Sequence, residues 1–316
     1  MKPLAFVFPG QGSQSVGMLD AWGDHPAVRE TLAEASQALG EDVARLIHEG
    51  PREALSLTTN TQPVMLVAGI AAYRAWRAEG GLAPSVMAGH SLGEYTALVA
   101  SGALTLAQAA PLVRFRAQAM QEAVPVGQGA MAAILGMESA QVAAGCREVT
   151  ASFGAGSSEV VEAVNFNDPV QTVIAGSKAA VEKACEALKA SGAKRALPLP
   201  VSAPFHSSLM KPAADRLREK LAATAIATPA IPVVNNIDVA IETDADRIRD
   251  ALYRQAFGPV RWVECVRAIQ ARGVDTLVEC GPGKVLAGMC KRIDAALTGL
   301  AVFDPASLAE AKGQLQ

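Results

Sequence analysis

The 316 residues, 50% apolar and 19% charged, hold enough apolar side chain for a large core and lie far from the composition of a disordered chain. Lys plus Arg number 28 against 31 Asp plus Glu, a net charge of −3, which excludes a general nucleic-acid binder relying on phosphate neutralisation. The apolar run after Met1 stops at Pro9, too short for an export signal, and the uncharged stretch Tyr95–Val113 carries Thr, Ser, Gln and Pro111, so neither export nor a membrane span is expected.

In chain order, Leu4–Phe8 reads as a buried strand, Pro63–Ala78 as a helix, Ser85–Ala88 as a strand, and Leu92–Ala100 and Thr105–Ala123 as helices. Pro111 lies inside the last of these and is expected to bend it or move its start. From Gly127 to Pro198 the order becomes strand Ala130–Leu135, helix Ser139–Val149, strands Val160–Phe166 and Gln171–Ala175, helix Lys178–Ser191 and strand Arg195–Leu199. That βαββαβ order is the split arrangement of a ferredoxin-like fold. Strand Ile231–Asn235, helix Pro259–Arg272 ended by Gly273, and strand Thr276–Cys280 follow. The expected class is α/β, a mostly parallel sheet in residues 1–126 and 199–316 with a ferredoxin-like small subdomain inserted at 127–198. The five cysteines form no Cys-x-x-Cys pair and have no His at metal spacing, so reduced, buried thiols and no metal site are expected.

Gly89-His90-Ser91-Leu92-Gly93 is a G-x-S-x-G pattern between a strand and a helix. There the serine occupies a strained turn, the glycines let backbone pass closely, and the helix N-terminus offers amides to a developing oxyanion. The same pattern also serves as a tight turn with a capping serine. A serine nucleophile needs a base. Of the four histidines, His25 and His48 fall in polar N-terminal helical segments, where exposure is expected, and the sharp turn should direct His90 away from Ser91. That leaves His206, in Pro204-Phe205-His206-Ser207, which as a lone loop histidine reads equally as a surface residue. Positions 106, 109, 113, 117 and 120 form an apolar helical stripe, with Arg116 on that side and Arg114 pointing away. A guanidinium near a buried face needs an anion, either an internal Asp or Glu or a substrate carboxylate held by two parallel hydrogen bonds.

Two glycine-rich turns carry no nucleotide site. In Gly10-Gln11-Gly12 the third glycine of a dinucleotide fingerprint would fall at Ser15, and before Gly283-Lys284 the first glycine of a phosphate loop would fall at Val278.

Pro9-Gly10-Gln11-Gly12-Ser13-Gln14, Gly89-His90-Ser91-Leu92-Gly93-Glu94, Arg116, Met120 to Pro125, Phe205-His206, Val234-Asn235-Asn236 and Glu279 to Gly283 occur together in one order and spacing. From about residue 4 to about residue 293 the chain resembles the malonyl-CoA:acyl carrier protein transacylases, the loading enzymes of fatty-acid synthesis. The resemblance implies a hydrolase-like α/β core with a ferredoxin-like insertion. It implies Ser91 as acylated nucleophile, His206 as general base, Gln11 and Leu92 as main-chain oxyanion donors, and Arg116 as holder of the malonyl carboxylate. Gln255 would orient His206 through its main-chain oxygen. A bulky Phe205 would disfavour a methyl group on the α-carbon.

The partners so implied are malonyl-CoA and an acyl carrier protein of fatty-acid or polyketide synthesis, with no cofactor, metal, nucleic acid or membrane, in a cytoplasmic monomer. Lys194, Arg195, Lys284, Lys291 and Arg292 are candidates for a basic rim meeting coenzyme A phosphates or an acidic carrier, and equally for an ordinary solvated face. The competing readings are a serine thioesterase, which would pass the acyl group to water, and a non-catalytic carrier-docking subunit. Hydrolases of this kind usually place the histidine near the C-terminus, whereas His206 lies far upstream of it.

Overall fold

The computed structural model describes residues 3–201 and 203–315. In chain order its elements are β1 (Leu4–Phe8), α1 (Pro26–Leu39), α2 (Val43–Glu49), α3 (Arg52–Ser56), α4 (Thr58–Ala78), β2 (Val86–Gly89), α5 (Gly93–Ala100), α6 (Leu106–Glu122), β3 (Gly129–Leu135), α7 (Ser139–Ala151) and β4 (Val161–Asp168). They continue with β5 (Gln171–Ser177), α8 (Lys178–Ala190), β6 (Arg195–Pro198), α9 (Lys211–Ala222), β7 (Val233–Val234), α10 (Ala245–Gln255), α11 (Trp262–Gln270), β8 (Thr276–Cys280), α12 (Val285–Ile293), β9 (Thr298–Val302) and α13 (Pro305–Leu315). Two compact units divide the chain. The first takes the residues up to Gln118, Ala222–Ile248 and those from Cys265 onward, and the second takes Ala119–Leu221 and Arg249–Glu264.

The first unit is built on a parallel sheet of order β7-β2-β1-β8-β9. Every residue of the central strand β1 is buried, as expected where a parallel strand is covered on both faces and reads as an unbroken apolar run. Because the strands run the same way, the segments after β1, β2, β7 and β8 leave from one edge of the sheet. That is the carboxyl edge where open parallel sheets place their ligands. The segments are Pro9–Gln11, His90–Ser91, Asn235–Asn236 and Gly281–Gly283.

The second unit carries an antiparallel sheet of order β4-β5-β3-β6. Helices α7 and α8 pack on it, and Val142, Cys146, Val149, Val181 and Leu188 meet Ala132, Ile134, Val161 and Ile174 in one core. The α/β class and the two kinds of sheet agree with the reading of the sequence.

Several boundaries differ. The strand expected over Ile231–Asn235 shortens to Val233–Val234, since Pro232 has no N–H to give a ladder, although its carbonyl accepts from the Met87 amide at 2.8 Å. Helix α11 begins at Trp262 rather than Pro259 because Val260 is extended, donating to Val164 O at 2.8 Å and accepting from the Phe166 amide at 2.9 Å. Helix α4 starts at Thr58, ahead of Pro63, and α6 starts at Leu106, ahead of Pro111. Each proline sits in a second turn, where it removes a single intrahelical bond without moving the helix start. Strand β9 went unread because it contains Gly299, a weak strand former. A Cβ there would lie 2.2 Å from the Ala287 carbonyl oxygen, so the close approach of α12 requires that glycine.

Among the described residues no helix is long and apolar enough to cross a membrane, and no cluster of three or more His, Cys, Asp or Glu could hold a metal ion. All five cysteines are free; four are buried and Cys185 is half-buried, and burial pushes the Cys146 and Cys290 thiols up to about 12.

At the end of β8, Glu279 is fully buried and accepts a hydrogen bond from the Ala287 amide at 2.8 Å, at the start of α12. Burial raises its pKa from 4.5 to about 7, while the amides of Ala287, Leu286 and Val285 pull the other way. A carboxyl group with a raised folded-state pKa binds more protons folded than unfolded between those two values, so its ionisation lowers stability as pH climbs through that window. Glu279→Gln, which keeps an acceptor for Ala287, is therefore expected to stabilise the protein at pH 8 by on the order of 1–3 kcal/mol. Thermal melts at pH 5 and pH 8 check this, with the advantage shrinking at the lower pH.

Candidate active site

The segment after β2 is a sharp elbow. Ser91 has φ +53°, a left-handed conformation that costs a non-glycine residue about 1–2 kcal/mol and persists only where the surroundings hold it. A Cβ at Gly89 would lie 1.8 Å from the Gly93 carbonyl carbon, and one at Gly93 would lie 2.1 Å from the Phe8 carbonyl oxygen. Both flanking glycines are thus required for the strand, the turn and α5 to pass one another. The Ser91 amide donates to Asn236 Oδ1 at 2.7 Å, Asn236 Nδ2 donates to Gly89 O at 2.8 Å, and the Asn236 amide donates to Glu94 Oε2 at 2.8 Å.

Helix α6 delivers Arg116 to the same turn. Its apolar stripe Leu106, Ala109, Val113, Ala117 and Met120 is buried, and Arg116 itself is only 1% exposed. Nη1 donates to Gln62 Oε1 at 2.7 Å and Nη2 donates to Ser91 Oγ at 3.2 Å. The guanidinium carbon lies 5.5 Å from the centre of the Tyr95 ring. Burial lowers the Arg116 pKa, opposed by Tyr95 and then Glu94, and burial pushes the Tyr95 hydroxyl up to about 12. Arg114 turns to the other side and pairs with Glu41, as its helical position requires. Gln62 thus fixes one guanidinium nitrogen while the other lies against the Ser91 hydroxyl.

Gln11 follows β1 in a loop pressed onto the elbow, where a Cβ at Gly10 would lie 2.8 Å from the His90 carbonyl oxygen. The main-chain amides of Gln11 and Leu92 donate to no acceptor among the described residues. Ser91, Leu92, Gln11 and Arg116 thus all belong to the first unit.

His206 and Gln255 belong to the second unit. His206 is buried with φ +65°, in a turn where the Phe205 amide donates to Ala203 O at 3.0 Å and Ser207 Oγ donates to Pro204 O at 2.7 Å. Its Nδ1 lies 2.9 Å from the Gln255 main-chain oxygen. A carbonyl oxygen can only accept, so the ring carries its proton on Nδ1 and Nε2 is the basic nitrogen.

His90 belongs to the elbow itself, whereas His25 and His48 lie elsewhere. His48 is exposed and pairs with Asp20 at 2.7 Å, whereas His25, expected on the surface, is mostly buried at the start of α1 with Nε2 3.3 Å from Glu79. Of the basic-rim candidates, Lys194 and Arg195 lie in the second unit and Lys284, Lys291 and Arg292 in the first. Sequence reasoning missed Gln62 and the roles of Glu94 and Asn236. The signal available for Gln62 was its place directly before the apolar run that follows Pro63 in α4, and for Glu94 a carboxylate in the first turn of the otherwise apolar start of α5.

Residues 5–296 match the acyl transferase domain family. The malonyl CoA-acyl carrier protein transacylase of Escherichia coli strain K12 is 54% identical over 98% of this chain and 99% of its own length. The crystal structure of an acyl-carrier-protein S-malonyltransferase from Burkholderia pseudomallei 1710b superposes with a TM-score of 0.95 at 65% identity, covering 98% of this chain and 99% of that one. A malonyl-transacylase solved in complex with a type II PKS acyl-carrier protein superposes equally well, with a TM-score of 0.95 at 51% identity and 99% of both chains covered. With a glycine-flanked serine elbow, a buried arginine at its hydroxyl and this likeness along nearly its whole length, the chain belongs to the malonyl CoA-acyl carrier protein transacylase family of acyl transferases.

Proposed function

We propose that the chain transfers a malonyl group from malonyl-CoA to the phosphopantetheine thiol of an acyl carrier protein, with Ser91 acylated in between. The observation that carries this reading is the buried Arg116, whose Nη2 lies 3.2 Å from Ser91 Oγ while Gln62 holds Nη1. That arrangement suits an acyl group ending in a carboxylate, and a neutral ester would give the guanidinium no purpose.

In the first half-reaction His206 Nε2 takes the Ser91 hydroxyl proton as Oγ attacks the thioester carbonyl. The Gln11 and Leu92 amides receive the oxyanion, and one such donor typically contributes a factor of about 100 to 1,000 in rate. The carbon–sulfur bond then breaks and the leaving coenzyme A sulfur takes the proton from His206. In the second half the carrier's thiol gives its proton to His206, its sulfur attacks the Ser91 ester, and Oγ regains a proton as it leaves. Gln255 serves through its main-chain oxygen, which keeps the imidazole in the required tautomer. The cycle consumes no cofactor and needs no metal.

The strand order β4-β5-β3-β6 with α7 and α8 supports reading residues 127–198 as a ferredoxin-like subdomain inserted into a hydrolase-like core formed by 1–126 and 199–316. The proposed transfer fits a cytoplasmic setting, supplying the carrier of fatty-acid or polyketide chain elongation.

Intact mass after mixing with malonyl-CoA alone is expected to show one malonyl adduct per chain, located on the Ser91 peptide and discharged by a holo acyl carrier protein. Free malonate accumulating without an adduct or transfer would make the protein a thioesterase instead, and no reaction at all would leave a docking subunit.

A further inference from the structure

We infer that Asn236 is a positioning residue for the nucleophile, acting with Glu94 to hold the Ser91 elbow in its reactive conformation and to decide which amide faces the oxyanion. This rests on Ser91 being the acylated residue. The side-chain amide of Asn236 meets both shoulders of the elbow, taking the Ser91 N–H on Oδ1 at 2.7 Å and giving its own N–H to Gly89 O at 2.8 Å. It imitates the paired bonds that a neighbouring strand would supply, at a place where β7 has already ended.

Two consequences follow from the donors and acceptors. The Ser91 amide is committed to Asn236 and cannot turn toward the acyl oxygen, so the Leu92 amide, which has no acceptor of its own among the described residues, is the one presented. The positive φ of Ser91 is also held at both ends, by a residue that is fully buried and therefore confined to one rotamer. Asn236 is in turn fixed through its main-chain N–H, which donates to the buried Glu94 carboxylate at 2.8 Å. Glu94 lies in the first turn of α5, where the helix N-terminus favours a negative charge. The carboxylate, the amide and the elbow form one chain of hydrogen bonds leading to the nucleophile.

A residue of this kind changes the rate of acylation without changing how substrate binds. Asn236→Ala is expected to lower kcat for Ser91 malonylation by 30-fold or more, with KM for malonyl-CoA within about twofold of the parent. Asn236→Asp keeps an acceptor for the Ser91 amide but replaces the donor toward Gly89 with a second acceptor, and should fall between the two. Asn235→Ala is the control, since Asn235 Oδ1 accepts from the Asp238 amide at 2.8 Å in the same loop and makes no bond to the elbow. It is expected to lower the melting temperature while leaving kcat per folded molecule unchanged.

Rates are read as the time course of intact mass on the folded fraction, with the adduct mapped to its peptide. The inference is overturned if Asn236→Ala and Asn235→Ala lose activity only in proportion to their loss of folded protein. It is equally overturned if folded Asn236→Asp and Asn236→Ala both retain kcat within twofold. Should Asn236→Ala fail to fold, Asn236→Asp carries the same comparison. Failure of the parent to form any adduct at Ser91 would instead remove the proposed function, so the two failures are distinguishable.

Discussion

Ser91→Ala is expected to abolish covalent malonylation, and His206→Ala to slow both half-reactions by about 100- to 10,000-fold. The serine is irreplaceable because no other hydroxyl stands at the elbow between Gly89 and Gly93. In the proposed cycle the histidine acts twice, first removing the Ser91 proton and then removing that of the incoming thiol. Its loss should therefore depress the rate of adduct formation and the rate of adduct discharge together. Rapid-quench mass measurements of each half separately check this. Gln255→Ala makes the contrast, since the Nδ1 contact is to the main-chain oxygen and survives truncation of the side chain. Its effect on kcat per folded molecule should stay within about threefold, and a loss matching that of His206→Ala would mean the side chain itself takes part.

Arg116→Ala is expected to reduce kcat/KM for malonyl-CoA by about three orders of magnitude and to narrow or reverse the preference over acetyl-CoA. Sites built around a buried hydrogen bond can reject an analogue lacking the partner by a factor of about 10,000, because their own polar groups are left unpaired. In the parent, acetyl-CoA brings no carboxylate to offset the desolvated guanidinium; in the variant that penalty is gone. The substitution also removes the donor to Gln62 Oε1, which is buried, so some loss of stability accompanies the change. Arg116→Lys should recover only part of the malonyl rate, since one ammonium cannot both hold Gln62 and meet a carboxylate through two parallel bonds. Paired kcat/KM values for the two thioesters decide it, and an unchanged ratio would remove Arg116 from selectivity.

Much of this was legible in the order of residues. The serine between two glycines after an apolar run specified an elbow because close backbone approach leaves room for nothing else, and the contacts of Gly89 and Gly93 bear that out. Arg116 was placed by helical periodicity alone, and Pro111 did not shift the helix that carries it. What stayed hidden depends on partners distant in the chain. Gln62 follows Thr58, Thr59, Asn60 and Thr61 in the polar first turns of α4, and only the fold shows that its oxygen faces Arg116. Glu94 reads as a first-turn acid on a short helix until Asn236 arrives against it. Strand β9 was obscured by Gly299, whose reason is the Ala287 carbonyl beyond it rather than anything local.

The elbow has a further consequence for the order in which the protein is assembled. Its supporting side chain lies 145 positions after Ser91, beyond all of α6 and the whole antiparallel sheet. Contacts of such separation are costly in loop entropy and form late, whereas α4, α5 and β2 can gather from neighbouring sequence. A chain emerging from the ribosome therefore carries its serine for a long interval before β7 and Asn236 arrive to hold the turn in its strained form.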